Sequence, residues 1–371
     1  MSPYAHITGW GMAVPEKVLT NDELAEMVDT TDQWIRERTG IRERRIASPD
    51  QSSATLATAA ALQALEVANL KPSELDLIIV STSSPEHIFP STACLVQDRL
   101  GAAKAGAFDL LAACTGFIYA INTASQAIRS GSVKNVLVIG AETLSRFTNW
   151  QDRNTCILFG DGAGAFVLQA SETPGGVLSA VLRSDGSGAD LLTLPAGGSR
   201  LPASHDTVDK GQHFIHMNGR EVFRFATRVM SQTTRETVEA AQLTLDDVDL
   251  IIPHQANQRI IESAARSLDI PLERFVINVE RYGNTSTASI PIATCEAIQQ
   301  GRLNPGDRVV FVGFGAGLTW GAALIEWSAP FLPEKAIYPF TYRLWVRVRS
   351  YLRRLVRSIE GLIWGSKYPD I

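Results

Sequence analysis

The sequence predicts an α/β protein in which layers of helix and sheet are built from two similar halves. Short apolar runs typical of strands alternate with helical patterns through residues 1–330, as in layered α/β folds. The runs also occur in matched pairs. LDLIIVSTSS (75–84) resembles VDLIIPHQAN (248–257), and SGSVKNVLVIGAE (130–142) resembles QGRLNPGDRVVFVGFGA (300–316). Their offset stays close to 170 residues, and self-similarity at a fixed offset is typical of a duplicated unit.

The chain of 371 residues is long enough for two such units. We predict an N-terminal half at 1–172, a C-terminal half at 173–330 and a separate extension at 331–371. The composition, with 45% hydrophobic and 20% charged residues, is typical of a soluble globular protein. The first residues lack a basic region followed by an apolar stretch, and no apolar run reaches about 18 residues, so we expect neither a signal peptide nor a membrane-spanning helix.

Charge and cysteine content narrow the classes of function. A net charge of −5 at pH 7 disfavours non-specific binding to nucleic acid. The four cysteines (Cys94, Cys114, Cys156 and Cys295) form no C-x-x-C pair and no cluster with histidine at zinc-finger spacing. Scattered cysteines of this kind indicate a reduced, cytoplasmic protein without a metal site.

Three polar residues fall at predicted strand ends or helix starts. FDLLAACTGF (108–117) resembles INVERYGNTS (277–286), which aligns Cys114 with Asn284, while His254 follows the strand that matches 75–80. Sites in α/β folds collect at such ends, so we expect the three side chains to converge on one cleft. A helical pattern begins at Cys114, and its dipole is expected to lower the pKa of the thiol. Taken alone, the cysteine is equally compatible with a small buried hydrophobe.

Several motifs together carry a family resemblance. The segments AACTGF, PHQANQRI (253–260) and GNTSTASIP (283–291) resemble the thiolase-like condensing enzymes, most closely β-ketoacyl-acyl carrier protein synthase III of type II fatty-acid synthesis. DQWIRERTGIRERR (32–45), FGDGAGA (159–165) and GLTWGAAL (317–324) extend the likeness to about residues 1–327. The resemblance implies a five-layered αβαβα fold and a homodimer.

The resemblance also implies a reaction and its residues. Cys114 would accept an acyl group from acyl-CoA, acetyl or another short chain, as a thioester. His254 and Asn284 would stabilise the enolate that forms when malonyl-acyl carrier protein loses CO₂. The backbone N–H groups of Cys114 and Ala316 would form the oxyanion hole, and the product would be 3-oxoacyl-acyl carrier protein. No metal or redox cofactor is expected, because both substrates are thioesters.

Substrate-binding residues follow from the same resemblance. The set expected to bind CoA is Trp34, Arg38, Arg153, Arg224 and Asn257, with the adenine held between the indole of Trp34 and the guanidinium of Arg153. The set expected to contact the carrier protein is Gln255, Ala256, Asn257, Gln258 and Arg259. Phe89 is expected to enter the acyl pocket of the partner subunit in the dimer.

The extension differs from the rest of the chain and lies beyond the resemblance. Residues 331–371 hold eight Lys/Arg and three Asp/Glu, a charge of +5 that leaves −10 for residues 1–330. Its apolar residues follow helical spacing, at positions 344, 348, 351, 352, 355, 359, 362 and 363. Arg343, Arg347, Arg354 and Arg357 lie on the other side of this predicted helix, which also contains Trp345 and Trp364. A basic amphipathic helix over 342–364 fits an anionic membrane, but equally the acidic body or a partner subunit.

Other functions stay open at this point. A relative in secondary metabolism would use the same three residues on another acyl donor or acceptor. A thiolase would need a second catalytic cysteine near 313–317, which the sequence lacks. A hydroxymethylglutaryl-CoA synthase-like enzyme would need an acidic general acid or base, and Glu142 follows a predicted strand without a supporting motif. An inactive scaffold or membrane adaptor would not need all three polar residues.

Overall fold

A computed structural model describes residues 3–331 and five helical positions of the extension, 348, 352, 355, 356 and 359. The strands are β1 (Tyr4–Ala13), β2 (Val18–Thr20), β3 (Glu43–Arg45), β4 (Leu77–Ser81), β5 (Gly106–Leu110), β6 (Asn135–Thr143), β7 (Asp161–Ser171), β8 (Val177–Ser184), β9 (Leu192–Thr193), β10 (His216–Met217), β11 (Leu250–Pro253), β12 (Arg308–Gly315) and β13 (Thr319–Glu326). The helices are α1 (Asn21–Ala25), α2 (Asp32–Thr39), α3 (Ser53–Val67), α4 (Thr92–Leu100), α5 (Gly116–Arg129), α6 (His205–Asp209), α7 (Gly219–Ala240), α8 (Gln258–Leu268), α9 (Val279–Tyr282) and α10 (Ser289–Gln299).

The two main sheets have the same strand order. The first runs β1-β7-β6-β4-β5, with β4 parallel to both β5 and β6. The second runs β8-β13-β12-β11, with β11 parallel to β12, and an isolated parallel bridge from Ile251 to Phe275 lies where the first sheet has β5. The match of β4 with β11 and of β6 with β12 is the repeat that the sequence predicts. The exact boundaries of the halves stay a prediction.

Helices form three layers around the two sheets. The α3 and α4 helices cover the outer face of the first sheet, α5 and α10 lie between the sheets, and α7 with α8 covers the second. Aromatic packing joins the layers. The rings of Phe117 in α5 and Phe166 in β7 pack edge to face, with their centres 5.1 Å apart, and the ring centres of Phe166 and Phe311 in β12 lie 6.0 Å apart. The predicted five-layered αβαβα fold is confirmed.

The central helices approach the first sheet closely at one glycine. A Cβ atom at Gly140 of β6 would lie 2.3 Å from the carbonyl oxygen of Thr287, which precedes α10. Only a residue without a side chain lets the turn before α10 reach this strand. The contact fixes that turn, and with it Asn284, against the C-terminal end of the first sheet.

The extension is described at only a few positions. Most of the helix predicted for 342–364, including Trp345, Trp364 and the arginines, lies outside the described residues. Val348, Leu352, Leu355, Val356 and Ile359 are helical and between 45% and 51% exposed. Among the residues that the structure describes, no helix has the length and apolar character needed to cross a bilayer.

Candidate active site

A cleft of about 860 Å³ opens at the carboxyl ends of the parallel strands and brings the predicted residues together. Cys114, His254 and Asn284 all line it. A smaller, mainly apolar chamber of about 110 Å³ lies on the other side of Cys114, which borders both spaces. The thiol therefore lies at the junction of a wide entrance and a narrow pocket, as expected of a group that holds a small bound substituent.

Cys114 occupies a 3-10 turn, Ala113–Thr115, which runs directly into α5. Burial raises the pKa of its thiol to about 12, although a hydrogen bond from Ser286 acts in the opposite direction. The expected lowering of this pKa by the helix dipole is therefore wrong for the free enzyme. The loss of hydration around a buried thiolate outweighs the partial charge of the helix terminus.

The repeat places Cys114 differently from the sequence alignment. Ala113 and Ser286 each begin a 3-10 turn before a central helix, and both have positive φ, 45° and 47°. Cys114 thus matches Thr287, and Asn284 lies two residues ahead of its turn. The predicted alignment of Cys114 with Asn284 is therefore wrong by three positions. Cys114 lies within its turn, whereas Asn284 lies in the loop before its turn.

His254 follows β11 and is buried at the floor of the cleft. Its Nδ1 lies 2.7 Å from the hydroxyl of Ser289, which also accepts the backbone N–H of Gln255. The Ser289 proton is then directed to Nδ1, which leaves the ring proton on Nε2. Nε2 is buried and has no hydrogen-bond partner among the residues that the structure describes. Burial lowers the pKa of His254 to about 3, so the ring is a neutral donor facing the cleft.

Asn284 is held by backbone contacts on both sides. Its N–H donates to the carbonyl of Leu158, and its carbonyl accepts the N–H of Gly160. The side-chain Oδ1 accepts the N–H of Ser286 at 2.8 Å, which fixes the orientation of the amide. With the oxygen engaged by the turn, the NH₂ group is the part of Asn284 available to the cleft.

The loop expected to complete the oxyanion hole packs against Cys114. A Cβ atom at Gly315 would lie 2.7 Å from the backbone nitrogen of Cys114, so glycine permits the approach. The Thr319 hydroxyl contacts the carbonyls of Ala112 and Ala316, at 3.0 and 3.1 Å, and ties the two backbones together. Ala316 and Cys114 both line the smaller chamber.

Trp34 and Arg38 line the entrance of the cleft. The guanidinium of Arg153 lies 4.4 Å from the centre of the Trp34 ring, and Arg38 lies 5.5 Å from it. Arg153 also pairs with Asp29 at the surface. The residues of the predicted stack are thus adjacent, but a base inserted between Trp34 and Arg153 requires the guanidinium to move away.

The cations that line the cleft are only partly those that the sequence singles out: Arg38 and Arg259 line it, but Arg224 does not. Arg224 is exposed on α7, pairs with Glu221 and does not line the cleft. Arg220, one turn earlier on the same helix, does line it, as does Arg259, whose guanidinium lies over the Phe223 ring. Sequence reasoning missed Arg220, although the helical spacing of four residues places it beside Arg224.

Asn257 caps α8 and links it to α2. Its Oδ1 accepts the N–H of Arg259, and its Nδ2 donates to the carbonyl of Arg38, both at 2.9 Å. Because the side chain is engaged at both ends, its contribution here is to join the two helices at the cleft entrance. Neighbouring Ala256 lines the cleft, and Gln258 donates to Glu262.

Gln255 does not belong to a docking surface, contrary to expectation. Its side chain is buried, donates to the carbonyls of Pro253 and Val276, and accepts the N–H of Asn278. All its polar atoms are therefore used within the core, and a carrier protein cannot reach them. The motif PHQANQRI mixes buried and exposed positions because it spans a strand end and the start of a helix.

Phe89 is among the most exposed apolar side chains, at 83%. Ile88 and Leu111 are similarly exposed, and Phe108 projects from β5, which forms the edge of the first sheet.

In the residues described, no group of three or more His, Cys, Asp or Glu side chains is placed to hold a metal ion.

A duplicated α/β architecture with a buried thiol, a neutral histidine and an amide at the sheet ends places the protein among the thiolase-like condensing enzymes. A family model for 3-oxoacyl-[acyl-carrier-protein] synthase III matches residues 108–186. A second model, for the C-terminal part of these enzymes, matches residues 238–327. The chain therefore belongs to the β-ketoacyl-[acyl-carrier-protein] synthase III family, and it is an acyltransferase of the condensing type.

Individual relatives agree over nearly the whole body. A β-ketoacyl-[acyl-carrier-protein] synthase III from Roseiflexus sp. (strain RS-1) is 51% identical over 89% of this chain and 100% of its own length. The crystal structure of the synthase III from Aquifex aeolicus VF5 superposes with a TM-score of 0.81, at 48% identity, over 87% of this chain and 100% of its own. The priming β-ketosynthase of the R1128 polyketide biosynthetic pathway is 36% identical, with a TM-score of 0.82 over 89% and 98% of the two chains.

Proposed function

We propose that the protein condenses a short acyl-CoA with malonyl-acyl carrier protein, with loss of CO₂, to give 3-oxoacyl-acyl carrier protein in fatty-acid synthesis. The observation that carries this proposal is the position of Cys114 between a wide cleft and a small apolar chamber, beside two donors, His254 and Asn284. We propose that the cleft receives the pantetheine arm and that the chamber receives the short acyl chain.

In the first half-reaction Cys114 exchanges one thioester for another. Its sulfur gives up the thiol proton and attacks the acyl carbonyl, the carbonyl oxygen gains negative charge, and the bond to the CoA sulfur breaks as CoA leaves as a thiol with that proton. The backbone N–H groups of Cys114 and Ala316 are proposed to hold that oxygen. Since burial raises the pKa of the free thiol to about 12, the attack depends on groups that favour the thiolate, Ser286 among them.

In the second half-reaction the malonyl group loses CO₂ and becomes an enolate. The charge on its thioester oxygen is proposed to be held by the Nε2–H of His254 and the NH₂ of Asn284. The enolate carbon then attacks the acyl-Cys114 carbonyl, the new C–C bond forms, and the thiolate of Cys114 leaves and takes up a proton from solvent. Every bond change is accounted for by the two thioesters, so we propose that neither a metal nor a redox cofactor takes part.

Intact-mass spectrometry tests the proposal and reports the acyl preference at once. The protein is incubated with acyl-CoA thioesters of increasing length, and we expect a mass increase of one acyl group, largest for short chains because the chamber measures only about 110 Å³. Cys114→Ser should remove the adduct and the condensation. The matched control is Cys94→Ser, an exposed cysteine on α4, which should behave as wild type. Condensation at wild-type rate by Cys114→Ser would refute the assignment.

A relative acting in secondary metabolism is the second candidate. The likeness to a priming β-ketosynthase of a polyketide pathway favours it, although identity to that enzyme is lower than to the synthase III proteins. A thiolase is disfavoured, because Cys114 is the only cysteine among the described residues that line the cleft or the chamber. Turnover with malonyl-acyl carrier protein against other acceptors distinguishes the two remaining candidates.

The exposed patch around Phe89 supports assembly as a homodimer. Phe89, Ile88 and Leu111 are each more than three-quarters exposed, beside the unpaired edge of β5. An exposed edge strand flanked by large apolar side chains is a surface that proteins normally cover. A second copy pairing through β5 would cover it and would bring Phe89 towards the partner's acyl chamber.

The extension supports contact with an anionic membrane. Val348, Leu352, Leu355 and Ile359 fall within about 60° of one another on a helix of 3.6 residues per turn, and all four are about half exposed. In the sequence, positions 343–360 carry six arginines and one glutamate. A half-exposed apolar ridge in a segment of this charge is the pattern of an interfacial anchor. We therefore favour a lipid surface over the acidic body of the enzyme.

A further inference from the structure

Glu296 of α10 is a buried carboxylate that takes no part in the chemistry described so far. Four groups donate to it, and all of them lie within the short segment 278–282. The side-chain amide of Asn278 and one nitrogen of Arg281 each lie 2.8 Å from its Oε2. The Tyr282 hydroxyl lies 2.7 Å from Oε1, and the second nitrogen of Arg281 lies 2.8 Å from the same oxygen. A carboxylate offers about four lone-pair sites, so these four donors satisfy it completely.

The segment that Glu296 holds leads directly to Asn284. Its helix, α9, ends at Tyr282, and Gly283 then turns the chain with a φ of +62°. A Cβ atom at Gly283 would lie 2.7 Å from the carbonyl oxygen of Leu158, the same oxygen that accepts the N–H of Asn284. Only glycine permits this turn. Because one residue separates Tyr282 from Asn284, a shift of Tyr282 moves the backbone from which the Asn284 amide projects.

The other end of the segment contacts the chain that carries His254. The N–H of Asn278 donates to Oε1 of Gln255 at 3.0 Å, and Gln255 follows His254 directly. The side-chain amide of Gln255 donates in turn to the carbonyl of Pro253, the last residue of β11. The segment held by Glu296 is therefore hydrogen-bonded to the strand end that places the histidine.

The central helix α10 thus contacts the supports of both donors. Ser289, in its first turn, lies 2.7 Å from Nδ1 of His254, and Glu296 lies two turns further along the same helix. Residues 289–298 of this helix are all buried, which gives the two contacts a fixed spacing. The paired contacts of Arg281 on Glu296 restrict orientation as well as distance. Such support is needed, because two donors that act on one oxygen must be placed to within about 0.5 Å.

We propose that Glu296 is a positioning residue that, through Tyr282 and Arg281, sets the place of the Asn284 amide relative to His254. The proposal rests on the function assigned to Asn284 above. Glu296 lines neither the cleft nor the chamber, so it acts through other residues and not on substrate. Asn284 serves the enolate and not the transfer of the acyl group to Cys114. Loss of a contact to Glu296 should therefore slow decarboxylation and leave acylation unchanged.

Tyr282→Phe tests the proposal with the smallest change. It removes one hydroxyl and keeps the buried ring, the ion pair with Arg281 and the contact with Asn278. We expect kcat for CO₂ release from malonyl-acyl carrier protein to fall roughly 3–50-fold with KM unchanged, a part of the ~10²-fold cost of a 1 Å displacement. Formation of the acetyl-Cys114 adduct, timed by intact-mass spectrometry, should proceed at the wild-type rate. A fall in CO₂ release smaller than about threefold, or an equal fall in both rates, would overturn the proposal.

Glu296→Gln tests the anchor itself. The amide nitrogen of glutamine cannot accept, so the donors on one side of the side chain lose their partner, and CO₂ release should fall further than in Tyr282→Phe. Because this variant breaks a buried ion pair, its rates are divided by the folded fraction measured by circular dichroism. A folded Glu296→Gln protein that releases CO₂ at the wild-type rate would also overturn the proposal. If the variant does not fold, Tyr282→Phe decides alone.

Tyr119→Phe is the matched control. The hydroxyl of Tyr119 donates to the carbonyl of Arg183 at 2.8 Å, and the residue lines neither the cleft nor the chamber. The same atom is thus removed from a tyrosine that does not contact Glu296, and both rates should match wild type.

Asn284→Ala separates this proposal from the proposed function. If Asn284→Ala released CO₂ at the wild-type rate, the role assigned to Asn284 would be refuted, and Glu296 would have no donor to position. If Asn284→Ala were slow while Tyr282→Phe kept the wild-type rate or lost both rates equally, only the role of Glu296 would be refuted.

Discussion

At the scale of single residues, burial sets the properties of the site more than local sequence does. The sequence suggests a thiol activated by a helix dipole, but burial of the side chain raises the pKa of Cys114 to about 12. The same burial keeps His254 neutral. Types and order of these residues were readable from motifs, whereas burial depends on segments far apart in the chain. For that reason the neutral state of the His254 ring could be read only from the fold.

His254 gives a prediction with a definite dependence on pH. His254→Ala should lower malonyl decarboxylation by roughly 10²–10³-fold, the cost of losing one oxyanion donor. In the wild type the pKa lies at about 3, below the ordinary value of 6.5, so the rate should show no inflection from His254 near pH 6.5. Decarboxylation of malonyl-acyl carrier protein followed by CO₂ release, between pH 5 and 8, measures both.

The free energy of unfolding should also depend on pH, because the pKa of His254 is lower in the folded chain than in the unfolded chain. The unfolded chain binds a proton at His254 below pH 6.5, while the folded ring resists it. The contribution of the neutral ring to folding stability is therefore complete above pH 6.5 and is lost as pH falls from 6.5 towards 3.

For the decarboxylation assay, His213→Ala is the control, since His213 lies outside the cleft. A wild-type decarboxylation rate in His254→Ala would contradict the role assigned to the ring.

At the scale of elements, strand ends and the turns after them position the chemistry. Cys114 and Ser286 belong to two turns of the same conformation, one in each half, and each turn runs into a central helix. Asn257 caps α8 and holds α2 beside it. The repeat predicted these elements, but a shift of three residues between Cys114 and Asn284 escaped the alignment, because periodicity fixes which elements match and not the length of the loop before each turn.

The edge strand β5 carries the prediction for the dimer. Phe89→Asp should weaken self-association, because a carboxylate would be buried where an apolar ring now projects. Light scattering after size-exclusion chromatography at micromolar concentration should show a shift towards monomer. Leu272→Asp, at a partly exposed apolar position in the other half, is the control and should stay dimeric. A wild-type protein that is monomeric throughout would contradict the assembly.

At the scale of the whole molecule, a body shared with its family is joined to a segment of opposite charge. The family match ends at residue 327, and the sequence after residue 330 changes from acidic to basic. Composition and helical spacing could predict an amphipathic segment but not what covers it. Val348, Leu352 and Leu355 are each about half exposed, so part of this apolar face is free to contact another surface. We predict that this other surface is an anionic lipid bilayer.

Flotation with lipid vesicles tests that arrangement on the full chain. We expect binding to vesicles that contain phosphatidylglycerol, little binding to vesicles of phosphatidylcholine alone, and release as salt screens the arginines. The double variant Leu352→Asp, Leu355→Asp should lose the bound fraction while keeping acylation of Cys114, because the ridge and the thiol belong to separate parts of the chain. Met27→Asp, at an exposed apolar position on the body, should bind as wild type does. Equal flotation of the double variant and the wild type would show that the ridge does not contact lipid, and the acidic body or a partner protein would then be its counterpart.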